Sequence, residues 1–229
     1  MKIAAIIAAA GIGRRMGGGL PKQYLEIGGR PIICHTLDRF REAKGIGEVI
    51  VVVEPGREAA FREEILKAGG YPSTWRATAG GKLRQESVAN GLALVPSDCD
   101  VVLVHDGVRP FVTAEHIERA ALVAARDGAC IIASPIRETV KRVGADGMIQ
   151  ETVDREHLWG AQTPQGFLTS ILKDAVAAAL RDGFVGTDEA SLVERMGAKV
   201  TAIDGDARNI KITTPSDLAM AEGILKEWR

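Results

Sequence analysis

The sequence predicts an α/β fold: a mainly parallel, twisted sheet flanked by helices on both faces, with a β-hairpin arm protruding from it. Three observations predict this. Short β-branched or apolar runs alternate with segments of helical periodicity. A glycine-rich loop follows the first apolar run directly. One stretch breaks the alternation, where Gly144-Ala145-Asp146-Gly147 joins two strand-like runs. The 229 residues fit one domain, 1–229, better than two small ones.

The first strand is the apolar run 3–7. Lys2 followed by 3–10 also mimics a short secretion signal, but cleavage near Ala10 would delete a good buried strand. Pro31 opens the first helix at the N1 position, with Ile33, Leu37 and Phe40 at helical spacing. The runs 49–53, 101–104 and 129–133 read as strands covered on both faces. A helix over 84–95 puts Val88, Leu92 and Val95 on one face. Thr113 caps another, with Glu115 and Glu118 in its first turns and Gly128 beyond its end. Helices are also predicted over 168–180 and 189–196, and a last one opens at Thr214-Pro215-Ser216-Asp217, capped by Thr214 or Ser216. The runs 139–143 and 148–153 form the hairpin, a dimerisation arm at about 138–156. A lone hairpin is marginal in water, so Val140, Val143, Ile149 and Val153 call for another subunit's surface.

Composition narrows the function. Hydrophobic residues make up 46% and charged residues 26%, as in a soluble globular chain. The net charge of -1 gives no global field for nucleic acid or membrane. After the first strand no segment approaches the ~20 apolar residues of a membrane span. Cys34, Cys99 and Cys130 are odd in number and show neither C-x-x-C nor a zinc spacing, which fits buried thiols in a reducing cytoplasm. His35, His105, His116 and His157 form no metal pair at helical spacing, so no protein metal ligand is assigned.

The chemistry concentrates in the first loop, 8–22, which holds five glycines and three cations, Arg14, Arg15 and Lys22, with no acidic residue. Bare N–H groups can approach an anion there while the cations add charge, which outlines a polyphosphate site. A flexible glycine turn with solvated arginines is the plainer alternative. The dinucleotide fingerprint fails, because its third glycine position is Met16, and the Walker pattern fails, because Lys22 follows Pro21 and precedes Gln23. Ligands of open α/β sheets bind beyond the strands' carboxyl ends. Asp106 and Arg109 follow one strand there; Asp106 can serve a hydroxyl or a metal-bound phosphate, or be a turn aspartate bonding nearby backbone. Lys211 lies near a helix start that favours anions, or is an exposed strand lysine. The polar clusters 80–87, 160–165 and 187–189 read as loops, with Ser87 a helix hydroxyl and Thr187 an N-cap at their plainest. No G-x-S-x-G or H-E-x-x-H is present, which suits a reaction without a covalent intermediate.

A set of motifs then points to one family: A-A-G-I-G-R-R-M with P-K-Q-Y, R-Q-E-S-V, V-H-D-G-V-R-P-F, E-T-V-K-R, T-V-D-R, L-W-G-A-Q-T-P-Q-G-F, T-D-E-A-S and N-I-K-I-T-T-P-S-D-L. In this order, over nearly the whole length, the chain resembles the 2-C-methyl-D-erythritol 4-phosphate cytidylyltransferases of the isoprenoid pathway. The resemblance implies a nucleotidyltransferase, Rossmann-like fold. It implies that CTP and the alcohol phosphate give a CDP-alcohol and pyrophosphate, with Mg2+ bound mainly through the CTP phosphates. It implies a homodimer. The first loop, with Ala10, Gly11 and Gly13, would wrap the triphosphate, and Arg15 and Lys22 would act at the reacting phosphates. Gly81 and Ser87 would recognise the cytosine nucleotide. Asp106, Arg109 and Lys211 would line the site near the acceptor, with Asp106 also on the nucleotide side. Thr139, Arg155 and Thr163 would lie on or beside the arm and reach the acceptor across a dimer. The family's acidic position in the nucleotide loop has no counterpart at Lys82-Leu83. Ribitol 5-phosphate cytidylyltransferases share several of these motifs, but E-T-V-K-R and T-V-D-R favour methylerythritol phosphate. A non-catalytic nucleotide-binding regulator on the same scaffold should have lost Arg15 or Lys22, and both are present.

Overall fold

A computed structural model of the chain describes residues 1–11 and 21–228. Arg15 and Gly13, both assigned to the first loop, lie outside the described residues.

Strand β1 (Ile3–Ala8) is followed by a short 3-10 turn, Lys22–Tyr24, and a small ladder of β2 (Glu26–Ile27) and β3 (Arg30–Pro31). Helix α1 (Ile32–Glu42) leads to β4 (Ile46–Val53), then α2 (Glu58–Phe61), which runs on as a π-helical stretch, Arg62–Lys67. Next come β5 (Arg76–Ala79), α3 (Arg84–Leu92), β6 (Val101–Asp106), α4 (Ala114–Asp127) and β7 (Ala129–Pro135). The arm is β8 (Val140–Val143) and β9 (Ile149–Val153). The chain returns through β10 (Trp159–Leu168), α5 (Thr169–Arg181), α6 (Glu189–Arg195), β11 (Thr201–Asp204) and α7 (Pro215–Glu227).

The main sheet has seven strands in the order β11-β7-β10-β6-β1-β4-β5. All neighbours pair in parallel except β10, which is antiparallel to both β6 and β7. Its reversal follows from the arm. β7 runs past the sheet edge into the hairpin, and β10 brings the chain straight back, pairing Trp159 with Pro135 and Ala161 with Ala133. Alternation along β1 sorts the core into two layers. Ile3, Ala5 and Ile7 face α1, α2 and α4, while Ala4 and Ile6 face α3, α5 and α6. A third, smaller cluster of Ile27, Ile32, Val108, Phe111, Ile212 and Ala221 seats α7.

Several sequence expectations hold. Ile33, Leu37, Phe40, Val88, Leu92 and Val95 are buried. The Thr113 hydroxyl accepts the His116 N–H, and Gly128 ends α4 with φ +92°. Thr214, not Ser216, caps α7.

Four expectations need correction. Pro31 is the N-cap of α1 rather than its first helical residue, because it still pairs in β3. Asp188 rather than Thr187 caps α6, because it is the residue next to the first helical turn and its carboxylate accepts the Ser191 N–H at 2.9 Å. The 160–165 cluster is not a loop: it lies in β10, and Gln162, Thr163 and Gln165 are buried because hydrogen bonds satisfy them. Cys34 is half-buried, whereas Cys99 and Cys130 are buried.

In the arm, Val140 opposes Val153 and Val143 opposes Ile149. Its turn closes through the Gly147 N–H to the Gly144 carbonyl, with Gly147 at φ +81°, so the glycine is needed at the end of the turn. Val143, Met148 and Ile149 at its tip are exposed.

Helix α3 approaches β1 and β4 through Gly91, where a Cβ would meet Ile6 Cγ2 at 2.7 Å and Val52 Cγ2 at 3.0 Å. Both neighbours are fully buried and β-branched, so neither can swing aside. Overpacking of this kind costs about 1–3 kcal/mol, against a helix-propensity gain of about 1 kcal/mol. Gly91→Ala is therefore expected to destabilise the protein in urea unfolding; an increase in stability would show that the interface has room.

Candidate active site

The strand order places a cleft by itself. From β1 the chain moves outward to β4 and β5, then crosses to β6 on the other side of β1. The reversal lies between β1 and β6, where Ala8 pairs with Asp106. Connections leaving opposite ways from neighbouring strands open a crevice at such a point. The cavity there is lined by Ala10, Gly11, Lys22, Gly81, Ser87, Asp106 and Lys211, each singled out from the sequence. Arg84 and Gln23 line it as well.

Its wall on the α3 side is a tight turn. A Cβ on Gly80 would sit 2.4 Å from the Ala10 Cβ, and one on Gly81 would sit 2.4 Å from the Glu86 Cβ. Ser87 Oγ accepts the Gly81 N–H at 3.0 Å and donates to the Leu83 carbonyl at 3.1 Å. Glu86 accepts from the Lys82 and Leu83 N–H groups. Ser87 thus does more than sit on a helix: it holds the turn that brings backbone to the cavity. On the β1 side a Cβ at Gly11 would come within 4.0 Å of Lys22 Cε, so the lysine stem passes over bare backbone.

The floor is Asp106, 5% exposed. Arg84 Nη2 approaches its Oδ1 at 3.5 Å; Arg109 Nε and Lys211 Nζ approach its Oδ2 at 3.1 and 3.0 Å. Burial alone pushes a carboxyl's pKa up, but Lys211, Arg84 and Arg109 outweigh it and hold Asp106 well below the usual carboxylate range. The turn-aspartate alternative is thereby set aside: this carboxylate is committed to cations. Lys211 is likewise part of this cluster and not an isolated strand lysine.

Behind the floor lies a buried network. His105 Nε2 donates to the Arg109 carbonyl at 3.1 Å, which leaves Nδ1 to accept from Thr163 Oγ1 at 2.9 Å. Thr163 Oγ1 in turn accepts the Asp106 N–H at 3.1 Å. Arg109 is steadied by its Nη1 bond to the Asn209 carbonyl at 2.8 Å, and Asn209 Nδ2 donates to Gln162 and to the Thr163 carbonyl. Thr163 therefore acts beneath Asp106, off the cavity surface. Sequence reading missed His105, Asn209, Gln162 and Arg84; all four lie inside quoted motifs, His105 and Gln162 as polar residues in strands, Arg84 at a helix start and Asn209 in the segment between β11 and α7.

Arg109, expected to line the site, is not among the cavity's lining residues, and neither are Thr139 and Arg155. Both are exposed, on the arm and just beyond it, and Arg155 donates to the Arg137 carbonyl. Among the described residues there is no group of three or more His, Cys, Asp or Glu side chains that could hold a metal, and no helix long and apolar enough to cross a membrane.

Comparison with known proteins agrees with the motifs. The family model described as 2-C-methyl-D-erythritol 4-phosphate cytidylyltransferase matches residues 3–227. The chain is 45% identical to the protein of that name from Syntrophus aciditrophicus, covering 99% of this chain and 97% of the relative. It is 44% identical to the one from Geobacter metallireducens, covering 99% of each. Among solved structures, 4-diphosphocytidyl-2C-methyl-D-erythritol synthase from Anaerococcus prevotii superposes with a TM-score of 0.88 at 32% identity, covering 98% of this chain and 96% of that one. The Thermus thermophilus cytidylyltransferase superposes with a TM-score of 0.81 at 35% identity, covering 99% and 100%.

The network behind Asp106 carries its own pH signature. Burial pushes the His105 pKa down to about 4, from 6.5 in the free side chain. A group depressed in the folded state stabilises the fold above its unfolded pKa, and that stability is lost as pH falls through the folded value. The loss attached to His105 should run from about pH 6.5 down to about pH 4 and total about 3 kcal/mol. His105→Gln is expected to be less stable at pH 7 but to lose less stability across that window; urea unfolding at stepped pH checks it, and parallel curves for the two proteins would show His105 is not the titrating group.

Proposed function

The chain belongs to the 2-C-methyl-D-erythritol 4-phosphate cytidylyltransferase family, and from that premise we propose how its residues share the work of the reaction. The enzyme transfers the CMP moiety of CTP to 2-C-methyl-D-erythritol 4-phosphate, releasing pyrophosphate. A phosphate-monoester oxygen of the acceptor attacks the α-phosphorus of CTP. The new P–O bond forms as the bond from Pα to the bridging oxygen breaks, and the electron pair leaves with pyrophosphate. The nucleophile is already anionic near neutral pH, so no strong general base is needed. The barrier lies in bringing one anion to another, and positioning with charge neutralisation lowers it.

The observation that carries this reading is the cavity at the β1/β6 switch point, where bare backbone of Gly11 and Gly81 faces Lys22, Arg84 and Lys211. We assign the nucleotide to the side formed by Ala10, Gly11, Gly81 and Ser87. Arg15 and Lys22 would neutralise charge on the reacting phosphates. Asp106 is a hard oxygen donor kept ionised by its neighbours, which fits a Mg2+ ion carried mainly by the CTP phosphates. When bound, that ion supplies charge neutralisation of the triphosphate. Lys211, which lines the cavity beside Asp106, would face the acceptor, with Arg109 behind it on the same Asp106 oxygen. The free thiols fit a cytoplasmic enzyme.

Thr139 and Arg155 need a second copy to meet an acceptor. Their absence from this chain's cavity lining and the exposed Val143, Met148 and Ile149 both support a homodimer with exchanged arms.

Pyrophosphate release with CTP should be supported by methylerythritol phosphate and far less by ribitol 5-phosphate; the reverse preference would move the chain to the ribitol enzymes. A cation about 4 Å from an anion at an effective dielectric near 20 is worth roughly 4 kcal/mol before competing terms. Lys22→Ala should thus lower kcat by about 100-fold or more with the fold intact, and a rate within threefold of the parent would remove Lys22 from the mechanism.

The shared site has a separate test. Inactive Lys22→Ala and Arg155→Ala chains are mixed under conditions that allow subunit exchange. In a mixed dimer with shared sites, one site carries both lesions and the other neither, so activity should reappear. Mixed dimers that form and stay inactive would show that each site is built from one chain.

A further inference from the structure

The Thr187-Asp188-Glu189 segment holds a buried carboxylate that the reaction scheme leaves without a task. Asp188 caps α6 and takes the Nε2 donor of Gln165 at 2.7 Å. Glu189, the next residue, is 1% exposed and does not line the cavity. Both of its oxygens accept from a single nitrogen, Nη1 of Arg84, at 2.5 and 2.6 Å. The other terminal nitrogen, Nη2, is left to face Asp106 Oδ1 at 3.5 Å. Burial works against the Arg84 charge, but Glu189 and Asp106 outweigh it and keep the guanidinium firmly protonated.

The Asp106 carboxylate is therefore pulled from two sides. Arg84 draws Oδ1, while Arg109 and Lys211 draw Oδ2. With cations on one oxygen alone, a carboxylate pivots toward them; a cation on the other oxygen opposes that turn. A guanidinium whose sole anion was Asp106 would close on it. Glu189 prevents this by holding Nη1 from behind. A buried ion pair is weak evidence for stability in itself, and here its geometry is that of a clamp on a group in the cavity floor.

We propose that Glu189 is a positioning residue for CMP transfer: it clamps Arg84 so that Nη2 fixes the orientation of the Asp106 carboxylate beneath the nucleotide. The proposal rests on reading that cavity as the CTP site. Glu189 acts through Arg84, so removing its charge matters only while Arg84 is there to be released.

The test is pyrophosphate release by the full-length enzyme at saturating CTP and methylerythritol phosphate, well below each variant's thermal midpoint. Glu189→Gln keeps the size of the side chain and loses its charge. It should lower kcat by about tenfold or more while the KM for CTP moves less than threefold. In an Arg84→Met background the same substitution should cost less than twofold, because the group it controls is gone. A Glu189→Gln enzyme with kcat within twofold of the parent overturns the proposal, as does an equal loss with and without Arg84. Should Glu189→Gln fail to fold, Arg84→Lys replaces it. A lysine keeps the charge but has one nitrogen, so it cannot span both carboxylates; it should show the tenfold loss, and a parent-like kcat overturns the proposal. A parent enzyme that releases no pyrophosphate from CTP overturns the CTP-site reading and this inference together. A working parent with an unaffected Glu189→Gln overturns this inference alone.

Discussion

One buried carboxylate governs the site. Asp106 ends β6 at the point where the chain reverses its direction of winding, and Arg84, Arg109 and Lys211 converge on it. An isolated ionised carboxylate at that depth would protonate or cost several kcal/mol. The three cations remove that cost, and Asp106 in turn gathers them. Without it, three positive side chains from the start of α3, the turn after β6 and the segment before α7 would repel one another across the cleft. The carboxylate is thus the counter-ion that lets three cations gather in one cleft.

The sheet explains why those cations can meet. Parallel β1, β4, β5 and β6 release their chains at one edge, so the segments after all four converge there. The reversed β10 contributes from the opposite end: its first residues, returning from the arm, reach the same edge and put Thr163 under Asp106. A parallel strand in that place would deliver its final residues there and would need a crossover instead of a hairpin. The one strand that breaks the parallel order of the main sheet therefore links the arm covalently to the cavity floor.

Much of this was legible in the sequence, for identifiable reasons. Strands covered on both faces read as continuous apolar runs, so β1, β4, β6 and β7 stand out. Caps and turns read well where the side chain itself makes the bond, as at Thr113 and Thr214. β10 was hidden because it carries Gln162, Thr163 and Gln165 inward, and polar residues read as loop until their partners are known. Ala10, Gly11, Lys22, Gly81, Ser87, Asp106 and Lys211 were found because glycine and charge at strand ends have a chemical meaning. Arg84 and Glu189 lie 105 positions apart, and nothing local to either residue announces their pairing.

The same contrast separates two kinds of polar residue in this protein. The cations that line the cavity are partly exposed: the side chains of Arg84 and Lys211 are 31% and 38% accessible. Groups that hold them are buried and bonded within the protein, as His105, Thr163, Asn209 and Glu189 are. Charge stabilisation in phosphoryl transfer depends on donors that need not reorganise as charge moves. Flexible lysine and arginine side chains meet that demand only if something rigid fixes their far ends. Here the rigidity comes from hydrogen bonds inside the sheet and from a helix start behind it. The support of the cavity is therefore spread over more of the chain than its own walls, reaching back through β10 to the arm and through α6, which packs in the same layer as α3.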